Sequence, residues 1–331
     1  MFNNDKVFII AEIGYNHNGN FDKAKLLVDK VSEIEEIDCV KFQIDSPDKI
    51  YSLRHNKEGY DFFSKIQLNQ DEFRDIFKYI KNKSKKPLFS ISDYDLIENY
   101  LEHGLDLMKI ASSSLCNYRL FEVIFKHKIP TIASVGVSDI KDMTDIYREF
   151  KERNIPLALL YCVSMYPASV DKISIGNIIM MKNLFPGITI GYSDHTKLSE
   201  VVLSAVSAGA KIIEVHVMLD DDKEALEKDV SYTVSDLKNL VKAVRNVEIA
   251  LDNKNDDRIL LNKDIKESRL KYFRSVYLEY DMKAGEKVNI EKVVFKRPNL
   301  GVSSNLWKLA EGRQLKRDKA KDEPLFWGDI E

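Results

Sequence analysis

The sequence predicts an α/β chain in which an eight-stranded parallel (β/α)8 TIM barrel is followed by a small β-rich module. Three observations predict it. Eight short apolar runs alternate with amphipathic stretches of helical period. The runs are almost continuously apolar, as strands covered on both faces must be. Polar residues recur at their C-terminal ends, where a β/α barrel carries its working groups. An open doubly wound sheet is the competing architecture, and the count of eight favours closure.

The expected strands are Val7–Glu12, Cys39–Gln43, Leu88–Ile91, Leu107–Ile110, Thr131–Ser134, Leu157–Cys162, Ile188–Ser193 and Lys211–His216. Between them, Phe21–Ser32, Leu68–Lys81, Asp139–Glu152 and Leu198–Ala208 repeat apolar residues at helical spacing. A last helix, Ser235–Leu251, runs into the polar stretch Asp252–Asp257, which reads as a boundary. The expected division is a barrel over 1–255, a linker over 256–268 and a module over 269–331. In that module Arg269–Tyr280 alternates and ends in the turn signal Asp281-Met282-Lys283-Ala284-Gly285-Glu286. Val293–Phe295, Lys296-Arg297-Pro298 and the closing run Leu315–Glu331 follow. A module of about 60 residues is marginal as an independent fold and would gain by packing on a barrel, its own or a partner's.

Composition narrows the function. With 331 residues, 44% hydrophobic and 31% charged, the chain has room for a large core. A formal charge of −3 with interleaved signs offers no basic face for nucleic acid. No apolar run approaches the roughly 20 residues of a membrane span. The polar start Met1–Lys6 leads straight into a strand, so no signal peptide is expected and the expected compartment is cytoplasmic. Cys39, Cys116 and Cys162 lie far apart without a C-x-x-C pair and read as buried small apolar residues.

The strand ends supply the candidate chemistry. His195 and His216 follow sequential strands, so their rings can meet above the barrel mouth. With Glu12, Asp194, Glu214 and Asp229 nearby, they could form a mixed nitrogen and oxygen site for a divalent ion. The bland alternative is two hydrogen-bonded strand-end histidines. Lys41 and Lys109 each end an apolar strand, although lysine is seldom buried unpaired. With Ser112, Ser134, Ser164 and Ser193 they would cradle a small dianion. A Schiff-base lysine is the rival chemistry, and lysines snorkelling at the rim are the structural one. His55, His103 and His127 read as solvated.

Several segments resemble the sialic acid (N-acetylneuraminate or nonulosonic acid) synthase family. They are Ala11-Glu12-Ile13-Gly14-x-Asn16-His17-Asn18-Gly19, Val40-Lys41-Phe42-Gln43, Tyr166-Pro167, Gly191-Tyr192-Ser193-Asp194-His195-Thr196 and Glu214-x-His216. The tail resembles that family's antifreeze-like SAF domain through Arg274-Ser275, Lys283–Glu286 and Lys296-Arg297-Pro298. The resemblance implies condensation of phosphoenolpyruvate with an acyclic acylamino sugar aldehyde. It implies a divalent metal on His195 and His216, manganese first, with magnesium or cobalt as alternatives. It assigns phosphoenolpyruvate to Lys41, Lys109, Ser112, Ser134, Ser164 and Ser193, and the sugar to Glu12, Gln43, Tyr166, Asp229 and Arg297. Glu12 is a candidate for managing a proton. Arg297 would reach over from the partner subunit of a domain-swapped homodimer.

The match departs from the family where the sugar should lie. Ser114 stands where the family usually has glutamate, Val215 where a basic residue precedes the second histidine, and Lys228-Asp229-Val230 in place of Pro-Asp-His. Val135, and Ile91 or Ser92, replace threonines. The expectation is therefore the same reaction on a different sugar, such as a legionaminic- or pseudaminic-acid precursor. The alternatives are a lysine-dependent barrel aldolase and a weakly active sugar-binding homologue.

Overall fold

A computed structural model describes residues 6–251 and 263–331. Eight parallel strands, Phe8–Glu12 (β1), Cys39–Ile44 (β2), Lys86–Ile91 (β3), Met108–Ile110 (β4), Thr131–Ser134 (β5), Leu157–Tyr161 (β6), Thr189–Asp194 (β7) and Ile212–Met218 (β8), pair in sequence order. β1 also pairs with β8, which closes the sheet into a barrel. A two-residue strand, Tyr232–Thr233 (β9), adds to the upper end of β8. The predicted fold class is therefore the observed one, and strand limits differ from those read in the sequence by at most two residues.

Alternation along the closed strands builds the interior. Ile10, Cys39, Leu88, Leu107, Ile132, Ala158, Leu160 and Ile212 fill the lower barrel as one apolar cluster. Two residues further along the same strands, and so on the same face, come Glu12, Lys41, Ser90, Lys109, Ser134 and Glu214. The bottom of the barrel is thus oily and the top polar, from one period-two pattern. Gly191 makes the packing possible: a Cβ there would lie 2.5 Å from both the Ile212 carbonyl and the Leu160 side chain. The larger core lies between strands and the helix ring, with Leu27, Phe42, Phe73, Phe89, Tyr100 and Phe150 among its members.

The helices begin where local chemistry starts them. Phe21–Ser32 is capped by Asn20, whose side chain accepts the Lys23 N–H. Gln70–Asn82 and Ile140–Glu152 open on reciprocal capping boxes, Asn69 with Glu72 and Asp139 with Asp142. None of the described helices is long and apolar enough to cross a membrane.

The chain divides into two compact units, Met1–Asp252 and Asn253–Glu331. The boundary expected at Asp252–Asp257 falls outside the described residues. The later part of the expected linker is a helix, Lys263–Tyr272, whose last turn takes in Arg269–Tyr272, where the sequence read an alternating strand. Four residues of alternation do not separate a strand from a helix end. Cys39 and Cys162 are buried, but Cys116, expected to be buried as well, is exposed in the turn before helix Tyr118–His127.

The second unit holds an antiparallel pair, Ser275–Leu278 (β10) with Val293–Lys296 (β11), around Val276, Leu278, Val288, Val302, Trp307 and Leu325. Gly285 supplies the left-handed turn between them at φ +82°. Its buried ionic centre is Asp329, which accepts from Lys319 Nζ at 2.7 Å, Arg317 Nη2 at 2.7 Å and the Phe326 N–H at 2.9 Å. Burial would raise this carboxyl, but its donors outweigh burial and hold it below the usual carboxylate range. The stabilisation it brings is therefore present above the unfolded value of about 4 and fades as pH falls through the lower folded value. Asp329→Ala leaves the buried Lys319 ammonium only Glu323, 3.6 Å away and half exposed, and should cost about 3 kcal/mol, read as a loss of stability in urea titration of the full chain. A change under about 0.5 kcal/mol would show the pair to be dispensable.

Candidate active site

The strand register assembles the site. Glu12 on β1 lies opposite Lys41 on β2 and His216 on β8. Lys109 on β4 lies opposite Ser90 on β3, and Ser193 on β7 opposite Glu214 on β8. Charged groups from four strands, β1, β2, β4 and β8, thereby converge above the apolar plug, with Ser90 and Ser193 from β3 and β7.

Lys41 Nζ sits 2.8 Å from Glu12 Oε1 and 3.9 Å from Glu214 Oε2. Lys109 Nζ sits 3.4 Å from Glu214 Oε1 and donates to Ser134 Oγ at 2.7 Å. Gln43 donates to Glu12 at 2.7 Å, and the Ser193 hydroxyl donates to Glu214 at 3.0 Å. All four charges are buried. Burial draws the Lys41 ammonium down, yet Glu12 and Glu214 outweigh it and hold Lys41 above the usual lysine value. Lys109 goes the other way: burial dominates and lowers it. Burial would raise Glu214, but Lys109 and Lys41 keep it well below the usual carboxylate range. Two ammoniums and two carboxylates thus offset one another. Glu12 Oε2 and Glu214 Oε2 are nevertheless buried without a hydrogen bond, which marks a layer built to meet a further polar group.

Beside this layer, with His216 two residues beyond Glu214 on β8, the His195 and His216 rings lie 5.5 Å apart between centroids. His195 Nδ1 is 2.7 Å from the Val163 carbonyl, which can only accept, so this nitrogen carries the proton. His216 Nδ1 is held at 3.2 Å by the Glu227 carboxylate. Each ring therefore leaves Nε2 for an outside partner, the arrangement by which metal-binding histidines are oriented. Burial draws His216 down, but the Glu227 carboxylate outweighs it and makes His216 the more basic of the two, above the usual histidine value. Burial and the neighbouring His216 push His195 down to about 4, so its ring is neutral. Tyr166 lies against both rings, 4.2 Å from His195 and 6.1 Å from His216. Among the described residues no group of three or more His, Cys, Asp or Glu side chains is gathered to hold an ion. The donor set thus fits an open site, two imidazoles with remaining positions for water or substrate, rather than a closed cage.

Most residues singled out in the sequence meet here. Ser112 and Ser164 share a hydrogen bond at 2.9 Å beside this network. Two do not meet it. Asp229 is exposed, and the carboxylate that enters the site from its loop is Glu227. Arg297 is exposed on the second unit, its guanidinium 5.8 Å from the Tyr272 ring. Glu227 was missed because loop geometry, not motif order, places it. Its own N–H donates to Asn16 Oδ1 at 2.9 Å, and its Oε2 accepts the Tyr15 N–H at 3.0 Å. Asn16 in turn donates to the Val217 carbonyl and to Ser231 Oγ, both at 2.8 Å. Gly14, at φ +53°, leaves the space: a Cβ there would run into the Glu227 carboxylate.

Comparison with known proteins agrees with this fold. The chain matches the NeuB family over residues 27–256 and the SAF domain over residues 273–331. It is 29% identical to pseudaminic acid synthase of Campylobacter jejuni, covering 100% of this chain and 98% of that one. It is 26% identical to N,N'-diacetyllegionaminic acid synthase of Legionella pneumophila, over 98% of this chain and 94% of the other. Among solved structures, N-acetylneuraminic acid synthetase from Leptospira borgpetersenii superposes with a TM-score of 0.73 at 27% identity, covering 80% of this chain and 90% of that one.

Proposed function

The chain belongs to the NeuB family of phosphoenolpyruvate-condensing nonulosonic acid synthases, and we propose that its acceptor is an open-chain acylamino sugar other than N-acetylmannosamine, in surface-glycan synthesis. The observation that carries this reading is one barrel mouth that holds two buried lysines, Lys41 and Lys109, paired with Glu12 and Glu214, together with an imidazole pair, His195 and His216, the latter two residues beyond Glu214 on β8.

In this reading, phosphoenolpyruvate lies on Lys41 and Lys109 with the hydroxyls of Ser112, Ser134, Ser164 and Ser193, which fix its enol carbon before attack. His195 and His216 would hold a divalent ion of the manganese type, and that ion would supply Lewis-acid polarisation of the acceptor aldehyde. Glu12, Gln43 and Tyr166 face the sugar, with Glu227 in the part first given to Asp229. The methylene carbon of phosphoenolpyruvate bonds to the aldehyde carbon, whose oxygen takes up a proton to become a hydroxyl; water gives up a proton and adds to the neighbouring phosphate-bearing carbon, and that carbon then expels phosphate to leave the ketone. Glu12 is suited to manage the water's proton, since one of its oxygens is buried without a hydrogen bond. The SAF-type module, with Arg297, is assigned to the barrel of a second subunit in a domain-swapped homodimer.

The test is phosphate release from phosphoenolpyruvate with a panel of acylamino hexoses and manganese, with product mass measured. Release that requires both substrates and stops with chelator is the expected result. No release with any member of the panel would sink the proposal.

A further inference from the structure

Asp194 is a buried carboxylate that none of the roles above uses, and the sequence offers it as an oxygen donor beside the two histidines. Its position on β7 turns it away from that task. Alternation sends Ser193 to the barrel interior and Ile190, Tyr192 and Asp194 to the helix side, where Ile190 and Tyr192 belong to the larger core. There the protein itself fills the carboxylate. Oδ1 accepts the Tyr192 hydroxyl at 3.0 Å, the Thr196 N–H at 3.1 Å and the Thr196 hydroxyl at 2.7 Å. Oδ2 accepts the Lys197 N–H at 3.1 Å and the Tyr232 hydroxyl at 3.2 Å. A carboxylate has about four lone-pair positions, so Asp194 keeps nothing for a metal ion.

Its donors come from two places that bear on the histidines. Thr196 and Lys197 follow His195 directly, and Asp194 gathers their N–H groups into a turn that fixes the backbone leaving His195. His195 is also tied to the loop after β6: its carbonyl accepts the Ala168 N–H at 2.9 Å, as its ring meets the Val163 carbonyl. Tyr232 lies on β9, beyond β8. In register, Val215 stands opposite Asp194 and Val217 opposite Tyr232. The bond from phenol to carboxylate therefore crosses the outer face of β8 directly behind His216, which faces inward. One residue before Tyr232, Ser231 donates to the Glu227 carbonyl at 2.7 Å, so the same anchor holds the end of the loop that orients His216. Val215 is also where the resemblance puts a basic residue. Valine brings no charge to Asp194, and hydroxyls hold it instead.

We propose that Asp194 is a positioning residue: its bond to Tyr232 braces the His195 turn against β8 and sets the 5.5 Å spacing of the two imidazole rings. This role rests on the reading above in which the two imidazoles share an ion. Asp194 touches neither that ion nor the substrates, and acts through His195 and His216 alone.

The experiment titrates the full chain with manganese alone, without substrate, for wild type, Tyr232→Phe, Asp194→Asn and Tyr147→Phe. Tyr232→Phe removes one hydroxyl and leaves the ring in place. Asp194→Asn turns an NH2 group against the donors on one side and so disturbs more of the turn. Tyr147→Phe is the control: it removes a hydroxyl that donates to the Pro186 carbonyl at 2.9 Å in the helix ring, a loss of the same kind away from the histidines. Tyr232→Phe should weaken manganese binding about tenfold and Asp194→Asn about a hundredfold, the range for outer partners of metal ligands, while Tyr147→Phe stays within about twofold of wild type. The midpoint of urea unfolding should fall alike in Tyr232→Phe and Tyr147→Phe. Equal manganese affinity in these two variants would overturn the brace, whether or not Asp194→Asn folds. A deeper fall of the midpoint in Tyr232→Phe, with manganese loss in proportion, would make the effect one of stability and overturn it as well. Should wild type bind no manganese, the metal reading fails, and nitrogen NMR of the histidine rings decides the brace alone. Tyr232→Phe should then shift the ring resonances of both His195 and His216, and Tyr147→Phe neither; unmoved rings in Tyr232→Phe overturn the brace.

Discussion

Lys109→Met should lower kcat/KM for phosphoenolpyruvate about a thousandfold, equivalent to about 4 kcal/mol. Lys109 is 2% exposed and touches both Glu214 and Ser134, so its removal has two consequences. The anion loses one of its two cationic partners. Glu214 also keeps its charge in a buried layer with only Lys41, 3.9 Å away, to offset it. Truncating one member of a buried, hydrogen-bonded charge pair costs about 2–5 kcal/mol in general, much of it from the charge left behind. The double variant Lys109→Met with Glu214→Gln separates the two effects. If the stranded carboxylate causes most of the loss, the double variant regains thermal stability but not phosphoenolpyruvate binding. The readout is initial phosphate release against phosphoenolpyruvate concentration, at saturating sugar and manganese. A fall of less than tenfold would remove Lys109 from the cradle. The same residue discriminates the aldolase alternative, for a Schiff-base lysine would be trapped by borohydride with substrate present. No such adduct is expected, because Lys109 is spoken for by Glu214 and Ser134.

How much of this was legible before any coordinates can be argued from particular residues. The strands were legible because parallel barrel strands are covered on both faces and so read as unbroken apolar runs. The polar strand ends were legible for the same reason: a lysine such as Lys41 or Lys109 at the end of such a run is seldom buried unpaired, which left rim snorkelling as its bland explanation. Glu214 was visible as one carboxylate among several, but not as the hub between both lysines and Ser193. That role comes from cross-strand register, which places Ser193 opposite Glu214 and Glu12 opposite Lys41. Parity offered a signal, since Glu214 and His216 are two residues apart and share the inward face. Glu227 had no such signal. Its loop follows neither strand nor helix period, and its course is fixed by contacts with Asn16 and Tyr15 more than 200 positions earlier. Counting along a lengthened loop therefore landed on Asp229, two residues beyond the side chain that turns inward. The helix at the start of the second unit was missed for a related reason: alternation and helical period agree over so few residues.

Replacing His216 by alanine should weaken binding of a divalent ion about a thousandfold and reduce phosphate release to a similar extent. The geometry makes the first effect the primary one. His195 and His216 each commit Nδ1 to the protein, to the Val163 carbonyl and to Glu227, and keep Nε2 for an outside ligand. With only two imidazoles in the set, removal of either takes away half of the protein's donors, and one ring cannot orient an ion by itself. The loss of aldehyde polarisation that follows amounts to several kcal/mol in reactions of this type. Glu227 should act at one remove. It fixes which nitrogen of His216 is protonated, and outer partners of this kind alter metal affinity about 10–100-fold. Glu227→Ala is therefore expected to weaken manganese binding by about that much, while Glu227→Gln, whose carbonyl oxygen can still accept from Nδ1, recovers most of the difference. Asn16→Ala should follow Glu227→Ala more weakly, since it loosens the loop and leaves the carboxylate in place. Calorimetric or relaxation titration with manganese in the absence of substrate measures these affinities apart from turnover. Equal manganese affinity in wild type and His216→Ala would show that the imidazole pair serves the sugar through hydrogen bonds alone, and Glu227 would then lose its orienting role as well.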